Sequence, residues 1–220
     1  MLTWALLVVG QAAGASTAPV SIDTLRIVEA TRPPAFDGVA DDSEYGTPSL
    51  VIRTGQGTVA VWARRWRGEI YLAAALPDST WYWGDDFVLS LDPRGDRGST
   101  PGPDDIQWYV RRAADSSVIH RGAQGRWTPP RGDPDWRLGR SREGEGWALR
   151  TADGPRGWSL ELRLGAGWLA GGGGAPPAMA VRVYDDAPHG WFVWPAVPGL
   201  PAPTALERRP DRWAVVRLVR

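Results

Sequence analysis

Four of the tryptophans stand in pairs beside loop-rich segments: Trp81 and Trp83 just before Gly84-Asp85-Asp86, and Trp191 and Trp194 just before Pro195. The residue type is in excess, with 14 Trp against 3 Phe and 5 Tyr. A flat indole complements the apolar C–H face of a pyranose ring, and its N–H donates to a hydroxyl. Paired indoles on a rigid scaffold therefore suit a sugar platform. Trp83 and Trp194 stay open between platform and core at this stage, and Trp81 and Trp191 are close enough in sequence to point elsewhere. Trp62, Trp108, Trp147, Trp158 and Trp213 sit inside alternating runs and read as core.

Carboxylates form the second group with chemistry in it. They cluster as Asp37, Asp41 and Asp42 with Glu44, as Asp85-Asp86, as Asp104-Asp105 and as Asp185-Asp186. Carboxylates gathered on turns suit calcium, a hard cation that takes about six to eight oxygen ligands. Asp is equally a preferred turn residue, and none of these clusters spells an EF-hand loop. Glu161, on an alternating strand, is the attractive acid for a glycosidase pair; the plainer reading is a polar residue on the outer sheet face.

Other catalytic arrangements are missing. The two histidines, His120 and His189, form no zinc-ligand pair, no G-x-S-x-G elbow occurs, and there is no cysteine. The four-glycine run ending at Gly174 lacks the Gly-Lys-Ser/Thr of a phosphate loop. The chain is therefore expected not to be an enzyme. Lys plus Arg equal Asp plus Glu at 25 each, which removes the basic footprint expected of a nucleic-acid partner.

The elements that must position these residues are strands. Alternating apolar runs bounded by Gly, Pro and Asp predict strands over residues 21–28, 58–63, 69–75, 86–92, 105–112, 117–120, 146–151, 158–164, 179–185 and 213–219, with Arg67-Gly68 at the turn of the clearest hairpin. About nine or ten strands imply an all-β chain folded as a single β-sandwich, jelly-roll-like or immunoglobulin-like, with two sheets and long loops. Residues 93–104, 122–144 and 197–212 are those loops, of a length usually tied to function. Upstream, the apolar run of residues 2–9 followed by Ala13-Gly14-Ala15 reads as a signal peptide over residues 1–15, too short to span a membrane. Export with no cysteine fits a secreted or periplasmic bacterial protein. A 16–29 N-terminal segment and a 30–220 domain complete the expected organisation.

The order of motifs resembles the family 9 carbohydrate-binding modules. Phe36-Asp37-Gly38-Val39-Ala40-Asp41-Asp42 is similar to the opening of that family, and the Trp62–Asp78 hairpin to its second motif. Trp83-Gly84-Asp85-Asp86-Phe87-Val88-Leu89-Ser90-Leu91-Asp92, Asp104–Val110, Gly157–Leu162 and the strand from Trp213 follow in the same order. The resemblance covers about residues 30–220 and implies a sandwich that binds a polysaccharide or oligosaccharide without cleaving it. It implies a terminal sugar held between Trp83 and Trp194, with Trp191 in reserve and Trp81, Asp85 and Gln107 nearby. By the same carry-over, the carboxylate of the family falls on Leu89, and its hydroxyl-reading Arg and Asn fall on Tyr109 and Arg111. It also implies calcium in acidic loops, for which Asp37, Asp41, Asp42 and Asp185 are the candidates. Those departures keep a structural or assembly sandwich without sugar binding as the alternative. A remoter one is a haem-binding electron-transfer sandwich using Met179 with His120 or His189.

Overall fold

The computed structural model describes residues 23–78, 80, 86–112, 117–128, 146–169, 174–187 and 189–219. The described chain is all-β, with thirteen strands. They are β1 (Thr24–Glu29), β2 (Leu50–Arg53), β3 (Thr58–Trp66), β4 (Glu69–Pro77), β5 (Asp86–Asp92), β6 (Ile106–Arg111), β7 (Val118–Ala123), β8 (Arg126–Thr128), β9 (Trp147–Gly154), β10 (Gly157–Leu164), β11 (Ala178–Asp185), β12 (Gly190–Trp194) and β13 (Ala214–Val219). Among the described residues the only α-helix is α1 (Asp42–Tyr45), capped by Asp41 Oδ1, which accepts from Ser43 and Glu44 N–H.

Local chemistry explains the sharpest turn. Trp66 pairs with Glu69, leaving Arg67-Gly68 as a two-residue loop, and both loop residues have positive φ, at 47° and 90°. That is the primed geometry whose twist matches the strands it joins. Gly57 and Gly68 aside, the positive φ that matters most is at Gly157, +148°, where a Cβ would lie 1.9 Å from the Leu76 carbonyl oxygen. No side chain fits there, so β10 can lie flush against β4 only with glycine at this position.

The strands run in the order β8-β7-β6-β5-β11-β13-β1-β3-β4-β10-β9, with β12 added to β11 and β2 to β3. The sheet curls into a sandwich, because inward residues of both halves share one core: Phe87, Leu89, Trp108, Met179 and Val181 from one, Val61, Leu72, Leu160 and Trp158 from the other. The parallel pair β13–β1 is the seam. Residues 24–29 contribute a strand to the sheet: Leu25 and Ile27 are core residues, and β1 pairs with both β13 and β3. Trp62, Trp108, Trp147, Trp158 and Trp213 are all buried, as their alternating runs imply. β2, β8 and β12 were not expected: the first two are short, and β12 (GWFVW) shows no alternation. The proposed signal peptide, most of the 122–144 loop and the glycine run before Gly174 lie outside the described residues.

Candidate functional site

β5 is buried on both faces, which an outer sheet face open to water would not allow. Its Phe87, Leu89 and Leu91 enter the core, while Asp86, Val88, Ser90 and Asp92 point the other way. One end of that outer face is covered by a small second core, where Ala178 and Ala180 meet Leu206 of the 3₁₀ turn Pro203–Arg208 and Trp213. The other end carries polar groups from β5, β6, β7, β11 and β12, and this is the candidate site.

Asp86 is the hub. Its Oδ2 accepts a short hydrogen bond from Tyr109 Oη, and its Oδ1 lies 3.5 Å from Arg111 Nε. Arg111 in turn places its guanidinium 5.4 Å from the Tyr109 ring centroid. Two rungs along, the buried Gln107 donates from Nε2 to Ser90 Oγ at 3.1 Å, and its Oε1 lies 3.2 Å from His120 Nδ1. On β11, Arg182 interrupts an apolar strand. Its guanidinium bonds Glu207 of the 3₁₀ turn and lies 4.6 Å from the Trp191 ring centroid. Trp191 also meets Tyr184 and Tyr109 edge to face, with centroids 5.3 and 6.3 Å apart.

Burial governs the electrostatics here. It pushes Asp86 up to about 6, against the opposing pull of the Tyr109 hydroxyl, Arg111 and Arg182. Burial also raises Tyr109, with Asp86 adding to the shift, and it lowers His120, with Arg182 adding to that. Arg182 is lowered by burial and partly restored by Glu207. Asp86 Oδ1 and Arg182 Nε are buried without a hydrogen bond, so the face holds unspent polar capacity. The assembly can stack a ring and exchange hydrogen bonds with hydroxyls.

Of the residues singled out in the sequence, Gln107, Tyr109, Arg111 and Trp191 converge on this face. Trp194 does not. It pairs with Val181, and like Phe192 it packs on the main core, three positions from Trp191 and on the opposite side of the strand. Trp81, Trp83 and Asp85 lie outside the described residues. Leu89, on which the carboxylate of the family falls, is a core residue 2% exposed; the carboxylates on the outer face of β5 are those of Asp86 and Asp92. Asp86, Arg182, Glu207, Ser90 and His120 were missed as site members. Arg182 had a usable signal, since a lone Arg between Val181 and Val183 must find a charged partner.

Three of the four carboxylates proposed for calcium accept hydrogen bonds within the chain. Asp37 Oδ1 accepts from Val39 N–H, Asp41 caps α1, and Asp185 accepts from Gln56 and Ala187. Asp42 is exposed in the first turn of α1. Among the described residues, the three carboxylates that approach one another closely enough for a shared cation are Asp92, Asp96 and Asp104. Glu161 is buried and fully occupied: Oε2 accepts from Asp37 and Gly38 N–H at 2.7 and 2.6 Å, and Oε1 from Tyr45 Oη. It ties the 37–45 segment to β10. Met179 lies in the core and His120 on the outer face, while His189 is exposed beside Asp186, so neither histidine shares a face with Met179 for haem ligation.

The fold is a β-sandwich, and it has counterparts among solved structures. Two solved structures carry that comparison, both family 9 carbohydrate-binding modules from Caldicellulosiruptor kristjanssonii. One, in complex with cellotriose, matches with a TM-score of 0.53 at 16% identity, covering 89% of this chain and 93% of that chain. The other, in complex with glucose, matches with a TM-score of 0.52 at 18% identity, covering 88% and 95%. No family model matches the sequence, and no curated protein matches it.

Proposed function

We propose that the protein is a secreted, non-catalytic carbohydrate-binding module whose sugar is held on the outer sheet face beside Trp191. The observation that carries this reading is the convergence of Tyr109, Asp86, Arg111, Arg182 and Trp191 from four strands onto one face, with polar capacity left unspent. Support comes also from the two matched modules, described in complex with cellotriose and with glucose. Trp191 is the proposed stacking ring, with Arg182 beneath one face and the sugar on the other. Trp83, three residues before Asp86 in the chain, is the proposed second ring. Arg111 and Asp86 are the proposed partners of ring hydroxyls, and oligosaccharides or polysaccharides of neutral hexoses are the ligand class. Retention on a panel of insoluble glycans, compared between wild type and Trp191→Ala, tests it. A wild type that binds no glycan ends the proposal.

A second reading, a structural sandwich without sugar binding, is favoured by the guanidinium of Arg182 over Trp191, which takes up one stacking face. Export rests on the apolar run of residues 2–9 and the Ala13-Gly14-Ala15 site. N-terminal sequencing of protein recovered outside the cytoplasm checks it, with a start near Ser16 expected.

A further inference from the structure

A cleft of about 380 Å³ borders β3, in the half of the sandwich that does not carry Trp191. That volume lies in the range of small-molecule sites, about 300–1,000 Å³. Ala30, Arg32 and Pro34 line it from the segment after β1, Asp42 and Glu44 from α1, and Arg64 from β3. The strand pairing brings them together. Val28 at the end of β1 pairs with Arg64, and Tyr45 holds α1 to the same strand, its ring 6.0 Å from that of Trp62 in a small buried cluster.

Arg64 is half-buried, and its hydrogen-bond partners are all neutral. Nη1 donates to Ser49 Oγ at 3.1 Å and to the Ala63 carbonyl at 2.9 Å, and Nη2 donates to the Thr47 carbonyl at 2.6 Å. A guanidinium carries five N–H donors, so Nε–H and one Nη2–H have no acceptor among the described residues. Burial holds Arg64 below its ordinary value, partly offset by Tyr45. Glu44 accepts from the Ala35 N–H through Oε1, and burial raises it, resisted by that N–H and Arg32 and reinforced by Asp37 and Asp41. Asp42 and Arg32 are exposed. Among the described residues no ion pair joins either arginine to Asp42 or Glu44; Glu29, at the same cleft, pairs with Arg65 at 3.8 Å. Charges of both signs that line one cleft without pairing are left for a molecule that carries both.

We propose that this cleft binds a small zwitterion of the α-amino-acid class, with its carboxylate on the unpaired Nε–H and Nη2–H of Arg64 and its ammonium between Glu44 and Asp42. One edge of a guanidinium meets a carboxylate through two parallel, charge-assisted hydrogen bonds, stronger than those Arg64 makes to neutral oxygens. An ammonium has three donors and is readily shared by two carboxylates. A simple anion entering the cleft meets Glu44 and Asp42 as like charges, and a simple cation meets Arg64 and Arg32; a zwitterion escapes both repulsions. Ala30 and Pro34 offer apolar contact to a short side chain. The cleft shares no residue with the Trp191 face, so this proposal and the glycan-binding one stand or fall separately.

Calorimetric titration of the protein with glycine, alanine and glutamate, set against propionate and propylamine, tests this. Expected is one amino acid per chain, with propionate and propylamine each weaker than alanine by about tenfold or more, because each leaves one set of charges unmet. Glu44→Gln keeps an acceptor for the Ala35 N–H, and Arg64→Lys keeps the charge but loses the two-pronged edge; each should weaken alanine by about tenfold. Arg64 also holds the turn at Thr47 and Ser49, so Asp42→Asn, at an exposed position, serves beside it, with melting curves to show that every variant folds. A wild type that binds none of the three amino acids up to about 10 mM overturns the proposal. So does propionate or propylamine binding as tightly as alanine, or alanine binding unchanged in both Glu44→Gln and Asp42→Asn.

Discussion

Trp191 and Trp194 stand on one strand and on opposite faces of it: Trp191 pairs with Tyr184 over Arg182, and Trp194 pairs with Val181 over the core. Their substitution should therefore separate binding from stability. Trp191→Ala should lose glycan retention with a small change in unfolding midpoint, because removing a stacking ring costs about 1–3 kcal/mol of binding. Trp194→Ala should instead destabilise by about 2 kcal/mol, below the ~3–5 kcal/mol of a fully buried tryptophan. Pull-down on insoluble glycan and urea unfolding of the two variants read this out, and the reverse pattern returns Trp194 to the platform.

Asp86 makes stability depend on pH with a definite sign. Burial raises its folded pKa from 3.8 to about 6. A carboxyl raised on folding favours the fold when protonated, so its contribution is full below about 3.8, is lost as pH rises to about 6 and stays lost above. The difference is about 3 kcal/mol. Asp86→Asn should remove this slope between pH 4 and 6 and be at least as stable as wild type at pH 7. Tyr109→Phe, which takes away the hydroxyl that lowers the pKa of Asp86, should move the window upward. Urea midpoints across pH 4–8 for the three proteins check both.

Glu161 should behave as a structural strut. Glu161→Ala leaves the Asp37 and Gly38 N–H groups and the Tyr45 hydroxyl without their acceptor. At ~1–3 kcal/mol for each buried donor left unpaired, the loss should be about 3 kcal/mol or more. Gly38 adds a second handle: its φ is +93° and a Cβ would meet the Thr151 carbonyl carbon at 2.8 Å, so Gly38→Ala should destabilise as well. Denaturant unfolding measures both. Glycan binding by whatever remains folded should be unchanged.

Purified protein should show no Soret band on addition of haemin, because Met179 faces the core while His120 faces the outer side of the sheet. An absorption spectrum after gel filtration decides it.

Much of this architecture is legible in the sequence because a period of two writes burial directly onto a strand. Residues 86–92 are expected as a strand from Asp-Phe-Val-Leu-Ser-Leu-Asp and form β5 with those bounds. Arg67-Gly68 marks the hairpin because only such a turn joins Trp66 to Glu69. The same alternation could have shown that Leu89, between Val88 and Ser90 and in step with Phe87 and Leu91, belongs to the core. The family resemblance marks the same position only as a departure, where the carboxylate of the family falls on a leucine.

Tertiary structure alone decided what came from pairing between distant strands. β12 reads Gly-Trp-Phe-Val-Trp, apolar at every position after the glycine, so no pattern says which tryptophan faces the core. Its pairing with β11 settles that, since Val181 and Val183 already point inward. Asp86, Tyr109, Arg182 and Trp191 become one site only because β5 lies between β6 and β11. Asp92 meets Asp105 for the same reason: both sit at ladder ends whose register is set by the core residues Leu91 and Ile106. A sequence records the preference of each residue for one side of a strand; which residues become neighbours across strands is fixed by burying all the inward sides at once.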